Sequence, residues 1–229
     1  MRPRVPETDQ GIQGGPVVEL YDKMQRRLRD RDWIETRDVL RAGIARGDAL
    51  EIGPGPGYLG LEWLANTDAT CLTGFDISPD MIALARRNAD GYKLSGRATY
   101  VCGSAASLPF GDRSFDAVFT AGSLHEWSDP AKTLREAWRV LKPGGRLLVM
   151  DFRRDMPAVF KWSLWLMARP KAMRPGLLSS IGAAYTPGEV SALVEHAGLP
   201  EWVVDGTLTG LKLSATRGAL LHTAEQSAG

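Results

Sequence analysis

Glycines recur at alternate positions between residues 50 and 60, where the chain reads LEIGPGPGYLG. Glycine lets a chain turn sharply and lets a ligand approach the bare backbone. The spacing of Gly55, Gly57 and Gly60 fits a dinucleotide-binding fingerprint, and Asp76 follows Gly57 by 19 residues, near the spacing of about 20 expected for a ribose-binding acid. The loop therefore predicts a site for a nucleotide-like cofactor, and an NAD(P)-dependent oxidoreductase is one open interpretation.

A candidate acid–base pair lies in the sequence SLHEW, residues 123–127, directly after a predicted strand. Open α/β sheets place their ligand crevice beyond the carboxyl ends of the strands, which is where His125 and Glu126 would then lie. The His125 imidazole titrates in the useful pH range, and Glu126 could orient it. The alternative is structural: His125 caps or packs the strand end, and Trp127 belongs to the core.

Tyr21 is a third candidate for chemistry. It shares one face of a predicted helix with Val17, Met24 and Leu28, which recur at i, i+4, i+7 and i+11. Such a stripe is typical of core packing, and in that interpretation Tyr21 has no chemical role. The Tyr21 hydroxyl could instead reach a cofactor carboxylate or the substrate.

Metal and disulfide chemistry has no support in the sequence. The chain has two cysteines, Cys71 and Cys102, and both fall in predicted strands, so we expect buried, inert thiols. Because no Cys or His spacing matches a zinc or iron–sulfur site, no metal is predicted. His196 lies within a predicted helix and is interpreted as structural.

The composition is that of an ordinary globular chain. The 229 residues carry 28 basic and 27 acidic side chains, a net charge of +1, so no overall field attracts nucleic acid or an anionic membrane. No apolar run reaches the roughly 18 residues that cross a bilayer, and the N-terminus lacks the apolar region of a signal peptide. We therefore expect one cytoplasmic domain that binds no nucleic acid.

The elements that position these side chains follow from short apolar runs that alternate with helix-length periodic segments. This alternation predicts βαβ crossovers and a mainly parallel sheet with helices on both faces. The predicted strands are residues 49–52, 71–75, 99–102, 115–120, 146–150, 202–204 and 211–215. Helices are predicted to begin near Tyr58, Pro79, Pro130 and Pro187, the last with a capping box. An earlier helix, residues 33–46, is expected to end at Gly47.

The glycine loop also resembles motif I of the class I S-adenosylmethionine-dependent methyltransferases, an acidic residue followed by three alternating glycines. Glu51, Gly53, Gly55 and Gly57 match this motif residue for residue. Glu51 favours this interpretation, because a carboxylate two residues before the first glycine would repel the pyrophosphate of a dinucleotide. Further matches follow in chain order over residues 50–151 and are similar to the small-molecule enzymes of ubiquinone and menaquinone biosynthesis.

The resemblance implies S-adenosylmethionine as the cofactor and S-adenosylhomocysteine as its product. Glu51 would help to hold the ammonium group of the cofactor's methionine portion. Asp76 would accept hydrogen bonds from both ribose hydroxyls, and Ile77 and Met81 would line the adenine. These roles are carried over from the family onto matching positions of this chain.

One position departs from the family pattern. Ser104, followed by Ala105, stands where many relatives carry an aspartate that reaches the adenine amino group, so this contact would pass to backbone amides or water. Ala121 completes the implied cofactor set. The implied fold is a Rossmann-like, doubly wound α/β sheet of seven strands, mostly parallel with an antiparallel last strand. The implied activity is methyl transfer to a small apolar or aromatic molecule, and a catalytically silent cofactor-binding protein is the remaining alternative.

The whole chain, residues 1–229, is predicted to form one domain with five parts. They are a mobile arm (1–16), helices covering the cofactor cleft (17–47), the cofactor-binding core (48–151), a substrate cap (152–185) and a closing helix with strands (186–217). Within the cap, residues 152–175 carry six basic side chains against Asp155, a local charge of +5, around an apolar stretch. The segment predicts a lid over an apolar, quinone-like substrate or a peripheral membrane contact, unless it packs into its own domain.

Overall fold

The computed structural model describes residues 3–7 and 11–218. The helices of this part are α1 (Gly15–Asp30), α2 (Thr36–Arg41), α3 (Tyr58–Ala65), α4 (Pro79–Tyr92), α5 (Pro130–Val140), α6 (Ala158–Met167), α7 (Arg174–Ala183) and α8 (Pro187–Ala197). The strands are β1 (Gly47–Ile52), β2 (Thr70–Asp76), β3 (Ala98–Cys102), β4 (Phe115–Ala121), β5 (Leu141–Phe152), β6 (Trp202–Gly206) and β7 (Gly210–Thr216). Short 3₁₀ turns span Leu124–Glu126 and Lys171–Met173.

The strands form one seven-stranded sheet in the order β3-β2-β1-β4-β5-β7-β6. Neighbouring strands from β3 through β5 pair in parallel, whereas β7 pairs antiparallel with both β5 and β6. This arrangement confirms the predicted Rossmann-like sheet with an antiparallel last strand. The strand order reverses between β1 and β4, and open sheets of this type bind ligands beyond the carboxyl ends at such a reversal.

The core consists of two apolar layers, one on each face of the sheet. Successive strand residues point to opposite faces, so Leu50 packs in the layer with α5 and α8, and Ala49 packs in the layer with α2, α3 and α4. The helices begin where their capping residues predict. Ser78 accepts a hydrogen bond from the backbone amide of Met81, and the capping box between Thr186 and Glu189 is complete.

The prediction of a helix over residues 33–46 is wrong in its bounds. Helix α2 ends at Arg41, and Gly43, with φ of +76°, follows its last turn. Glycine suits this left-handed position after a helix. Gly47 instead begins β1, where the Asp116 side chain fills the space beside its Cα. The helix therefore ends near Gly43, before the predicted stop at Gly47.

The prediction that both cysteines are buried is also wrong, because Cys71 and Cys102 are exposed. Cys71 alternates with the buried Leu72 near the start of β2, so its side chain points away from the packed layer. Cys102 ends β3, which is the edge strand of the sheet. An apolar run identifies a strand but does not show which of its residues the helices cover.

Residues 3–7 of the arm lie against the cap, whereas Ile12 and Gly14 bond to Ser78 and Asp80 at the start of α4. The Arg4 Nε donates to the carbonyl oxygen of Ala183 at 2.5 Å, and the Val5 amide donates to Gly182 at 3.3 Å. The mobility of the arm stays a prediction. Within the described residues, none of the helices combines the length and the apolar character that crossing a membrane requires.

Candidate functional site

The glycine loop forms the floor of a cleft at the strand reversal. Gly53 and Gly57 have φ of +67° and +85°, a backbone conformation that favours glycine. A Cβ on Gly53 would lie 2.6 Å from the Ser123 Cβ, and one on Gly57 would lie 2.8 Å from the Tyr100 hydroxyl oxygen. The loop glycines are therefore required both by the turn and by the close approach of neighbouring side chains.

Glu51 lies at the end of β1, and its side chain is directed toward this cleft. It is 2% exposed, and its Oε2 makes no hydrogen bond of good geometry with the described residues, although the Gly60 backbone is close enough to lower the pKa of the carboxyl. Burial, together with the charge of Asp76, raises the pKa of Glu51 to about 8. The Glu51 carboxylate and Leu72 fill the space beside Gly60, so this glycine makes room for Glu51. A buried carboxylate oxygen without a partner fits a ligand that brings a cation.

Asp76 ends β2 and is held by backbone donors. Its Oδ2 accepts from the Gly55 amide at 3.0 Å, and its Oδ1 accepts from the Ser78 amide at 2.9 Å. Burial raises the pKa of Asp76 despite these hydrogen bonds. The two donors fix the orientation of the carboxylate at the mouth of the loop. The sequence thus brings two acids, Glu51 and Asp76, to one cleft from the ends of adjacent strands.

The cleft has two connected chambers. The smaller chamber brings together most of the predicted cofactor residues, and its wall includes Gly53, Gly55, Asp76, Ile77, Met81, Ser104 and Ala105. The larger chamber, about 1030 Å³, is lined by Glu51, Ala121, α1 and the cap. Gly53, Gly122 and Glu126 line both chambers, so a ligand in one would meet a ligand in the other beside the loop that follows β4.

The apolar stripe of α1 lines the larger chamber, and Tyr21 also packs against a small buried cluster formed by Val18, Met81 and Leu84. Val17 is 48% exposed, and the residues that α1 buries are Val18 and Asp22. Tyr21 borders both chambers, and a Cβ on Gly55 would lie 3.4 Å from its ring. Its hydroxyl oxygen accepts from Gln25 at 2.9 Å, and burial and Glu126 raise the pKa of Tyr21. Tyr21 therefore stands over the glycine loop at the junction of the chambers.

His125 lies in the 3₁₀ turn after β4 and is 3% exposed. Its Nδ1 lies 2.9 Å from both carboxylate oxygens of Asp151, and its backbone amide donates to Asp151 at 2.8 Å. Asp151 comes from the carboxyl end of β5, which pairs with β4. The interpretation that Glu126 orients His125 is wrong, because Asp151 holds the ring and the nearest Glu126 oxygen is 4.0 Å from Nε2.

The electrostatics of this turn are dominated by carboxylates. Burial alone would lower the pKa of His125, but Asp151, Glu126 and Glu7 raise it to about 9. Burial raises the pKa of Glu126 to about 7, although the charge of His125 lowers it. The Nε2 of His125 lies 3.5 Å from Glu7, a residue of the arm. One ligand atom each of Glu7, His125 and Glu126 lies within 4.8 Å of the others, so the absence of a metal stays a prediction.

Two residues of this site were missed by the sequence analysis. Asp151 had a usable signal, because an acid at the carboxyl end of a strand beside β4 must lie near the turn that holds His125. Glu7 had none, because it precedes the first element and lies 118 positions from His125. His196, interpreted as structural, is exposed on α8 away from this site.

Comparisons with known proteins give a consistent result. Residues 50–149 match a family described as a methyltransferase domain. A demethylmenaquinone methyltransferase from Deinococcus radiodurans is 32% identical over 205 residues, covering 84% of each chain. A ubiquinone/menaquinone biosynthesis C-methyltransferase from Geobacter sulfurreducens is 32% identical over 181 residues, covering 76% of this chain and 70% of that one.

The fold has the same kind of relative among solved structures. A SAM-dependent methyltransferase from Aquifex aeolicus superposes with a TM-score of 0.67 at 20% identity, covering 90% of this chain and all of that one. At this identity the likeness concerns the fold. None of these comparisons supports an NAD(P)-dependent oxidoreductase or a catalytically silent binding protein.

Proposed function

The chain belongs to the class I S-adenosylmethionine-dependent methyltransferases, and from that premise we propose that it methylates an electron-rich aromatic ring, of the hydroquinone type, that carries an apolar tail. The proposal rests on the larger chamber, whose volume of about 1030 Å³ far exceeds what one aromatic ring needs. The two relatives from Deinococcus and Geobacter are named for quinone methylation. An apolar tail, together with the methionine portion of the cofactor beside Glu51, would account for the remaining volume.

The residues of the smaller chamber, together with Glu51 on the adjoining wall of the larger chamber, fit the cofactor. Glu51 would pair its unsatisfied oxygen with the ammonium group of S-adenosylmethionine, and Asp76 would bind the ribose hydroxyls. Ile77, 40% exposed on the chamber wall, and the buried Met81 would contact the adenine. When bound, the cofactor supplies an activated methyl group, so the protein has to align the acceptor and exclude water.

The acceptor would lie in the larger chamber with its ring toward Gly122 and Glu126. On the cap side the wall is mostly apolar, with Leu164, Met167, Met173 and Leu177, and Arg169, Ser179 and Ser180 are its polar members. Such a wall stabilises a hydrocarbon tail by removing it from water. Tyr21, at the junction of the chambers, would help to separate the reacting groups from solvent.

Proton transfer would fall to His125. Asp151 holds Nδ1, so Nε2, which Glu7 faces at 3.5 Å, would accept the hydroxyl proton of the acceptor when the imidazole is neutral, the form that prevails above the His125 pKa of about 9. The ring carbon beside that hydroxyl would then form the new bond to the methyl carbon as the methyl–sulfur bond breaks, and the electron pair of the broken bond would stay on the sulfur of the departing S-adenosylhomocysteine. The ring hydrogen leaves as a proton, and the imidazolium returns its proton to the phenolate oxygen. The product therefore gains a methyl group, keeps its hydroxyl and releases one proton.

The test is methyl transfer from isotopically labelled S-adenosylmethionine to a naphthoquinone that lacks the ring methyl group and carries a short isoprenoid tail. The reduced and oxidised acceptors are compared, and the products are identified by mass spectrometry. We expect labelled product from the reduced form alone, because only the hydroquinone has an electron-rich carbon. Equal labelling of the oxidised form, or no labelling of either while S-adenosylhomocysteine binds, would overturn the proposal.

We also propose that α6 contacts an anionic lipid surface. None of its ten residues is buried, and Val159, Trp162 and Leu166, which lie on one face, are 68%, 63% and 55% exposed. Lys161 adds positive charge, whereas Arg153 and Arg154 of the same segment are neutralised by carboxylates. An apolar helix face with basic neighbours is typical of interfacial binding.

Cosedimentation with anionic vesicles tests this contact. Trp162→Ser should reduce the bound fraction severalfold, because the helix loses its largest exposed apolar side chain. The matched control is Leu208→Ser, which removes a side chain that is 63% exposed elsewhere on the surface. Equal binding of both variants and the unaltered protein would contradict the proposal.

A further inference from the structure

The arm brings a carboxylate to the open side of His125. Glu7 Oε2 lies 3.5 Å from His125 Nε2, the nitrogen that Asp151 leaves free. The Glu7 side chain is 19% exposed, and Ser180 donates a hydrogen bond to it at 3.4 Å. The imidazole is therefore held between Asp151 on one side and Glu7 on the other.

Arg4 holds this part of the arm in place. Its Nη2 donates to the carbonyl oxygen of His125 at 2.8 Å, and its Nε donates to Ala183 at the end of α7. Its guanidinium also lies 4.2 Å from the centre of the Tyr185 ring. Three residues later, Glu7 faces the imidazole, so the arm is attached to the same turn that it completes.

We infer that Glu7 is a positioning residue of the methyltransferase site, which acts through His125 by stabilising its protonated form and fixing the direction of Nε2. The inference rests on the proposed role of His125 as the proton acceptor. A carboxylate at this distance favours the imidazolium over the neutral ring. The Glu7 carboxylate also keeps the Nε2 proton of the imidazolium on the side of the ring that faces the cleft.

The charges around His125 come from several elements. Asp151 lies on β5, Glu126 on the same turn, and Glu7 and Arg4 on the arm. Helix α7 also packs against the turn, but its one charged residue, Arg174, donates to Leu166 and stacks on Trp165. Among the described residues that act on His125, Glu7 is therefore the carboxylate that comes from outside the strand and the turn.

The direct test is the titration of His125 by NMR in the full chain without substrate. The protein has three histidines, so the imidazole signals can be assigned by substitution. Glu7→Gln keeps the shape of the side chain and removes its charge, and it should lower the pKa of His125 by about 1 pH unit. Glu7→Asp should give an intermediate result. The matched control is Glu19→Gln, on the exposed surface of α1.

Kinetics separate positioning from a structural role. In Glu7→Gln, the acidic limb of the kcat–pH profile should move to lower pH with the titration of His125, while the Kd of S-adenosylhomocysteine stays within twofold. A structural role would lower kcat equally at every pH and leave the limb in place. An unchanged His125 titration in Glu7→Gln would overturn the inference. A shifted titration without transfer to the hydroquinone would instead refute the proposed function and leave the contact between Glu7 and His125 standing.

Dialysis against a chelator should alter neither result. A His125 titration that changed on dialysis would assign Glu7 to a metal and overturn the inference.

Discussion

The two chambers of the cleft are built in opposite ways. The cofactor site takes its acidic groups from the carboxyl ends of β1 and β2, and Asp76 is fixed by backbone amides. The acceptor chamber is assembled from the arm, α1, the turn after β4, the end of β5 and the cap. Local backbone geometry forms the cofactor chamber, and packing between distant segments forms the acceptor chamber. Changes in the cofactor chamber should therefore act on cofactor affinity, and changes in the acceptor chamber should act on turnover or on acceptor binding.

The largest expected effect lies in the cofactor chamber. Asp76→Ala removes a carboxylate that accepts from two backbone amides and would bind both ribose hydroxyls. Calorimetry with S-adenosylhomocysteine should show at least about a 100-fold loss of affinity, since hydrogen bonds to charged groups are the strong ones. Asp68→Ala, on an exposed loop, is the control. An unchanged affinity would refute the ribose assignment.

The acceptor chamber should respond differently to Asp151→Asn. The amide cannot stabilise the His125 imidazolium, so kcat should fall by about 100-fold or more. The Kd of S-adenosylhomocysteine should change little, because Asp151 contacts His125 and lies outside the cofactor chamber. Measuring kcat and the Kd of S-adenosylhomocysteine for the same variant tests this expectation. A loss of cofactor affinity as large as the loss of kcat would contradict the claim that Asp151 acts on turnover and not on cofactor binding.

The charge of Glu51 should make cofactor binding depend on pH. Its pKa of about 8 means that the free protein holds this carboxyl mostly protonated at pH 6 and about half ionised at pH 8. Because the ammonium group pairs with the ionised form, affinity for S-adenosylhomocysteine should rise by about tenfold or more over this range. Calorimetry at each pH checks the slope, and Glu51→Gln should bind weakly with a flat profile. A steep rise that survives in Glu51→Gln would assign the titration to another group.

The smallest expected effect concerns the tail. Leu177→Ala removes part of the apolar wall of the acceptor chamber, so KM for the tailed hydroquinone should rise by about fivefold. A tailless naphthol and S-adenosylhomocysteine should bind as before. Leu178→Ala, a neighbouring α7 residue that is 38% exposed, serves as the control. Equal increases in KM for tailed and tailless acceptors would contradict the binding of the tail to this wall.

The same contrast explains what the sequence could predict. The strand runs, the helix starts at Tyr58, Pro79 and Pro130 and the glycine loop depend on neighbours in the chain, and the structure confirms them. The sequence also brought Glu51 and Asp76 correctly to one cleft, because both end parallel strands of a known order. Local pattern was sufficient wherever the backbone itself makes the site.

The features that the sequence did not predict depend on contacts between residues that lie far apart in the chain. The stripe of Val17 and Tyr21 has the spacing of a core face, and only the cap that stands opposite it turns that face into a chamber wall. Glu126 was adjacent to His125 in sequence, yet the partner of the ring is Asp151, 26 positions away. The exposure of Cys71 likewise depends on which helices cover β2. These outcomes are set by packing between distant segments, which periodicity does not encode.

The most direct test of the whole account is a calorimetric titration of the unaltered protein with S-adenosylhomocysteine and with NAD, followed by titration of the tailed hydroquinone into each mixture. We predict one site for S-adenosylhomocysteine and no binding of NAD. The hydroquinone should bind without displacing S-adenosylhomocysteine, because the two binding sites meet only beside Gly53, Gly122 and Glu126. Binding of NAD in place of S-adenosylhomocysteine, or competition between S-adenosylhomocysteine and the hydroquinone, would contradict it.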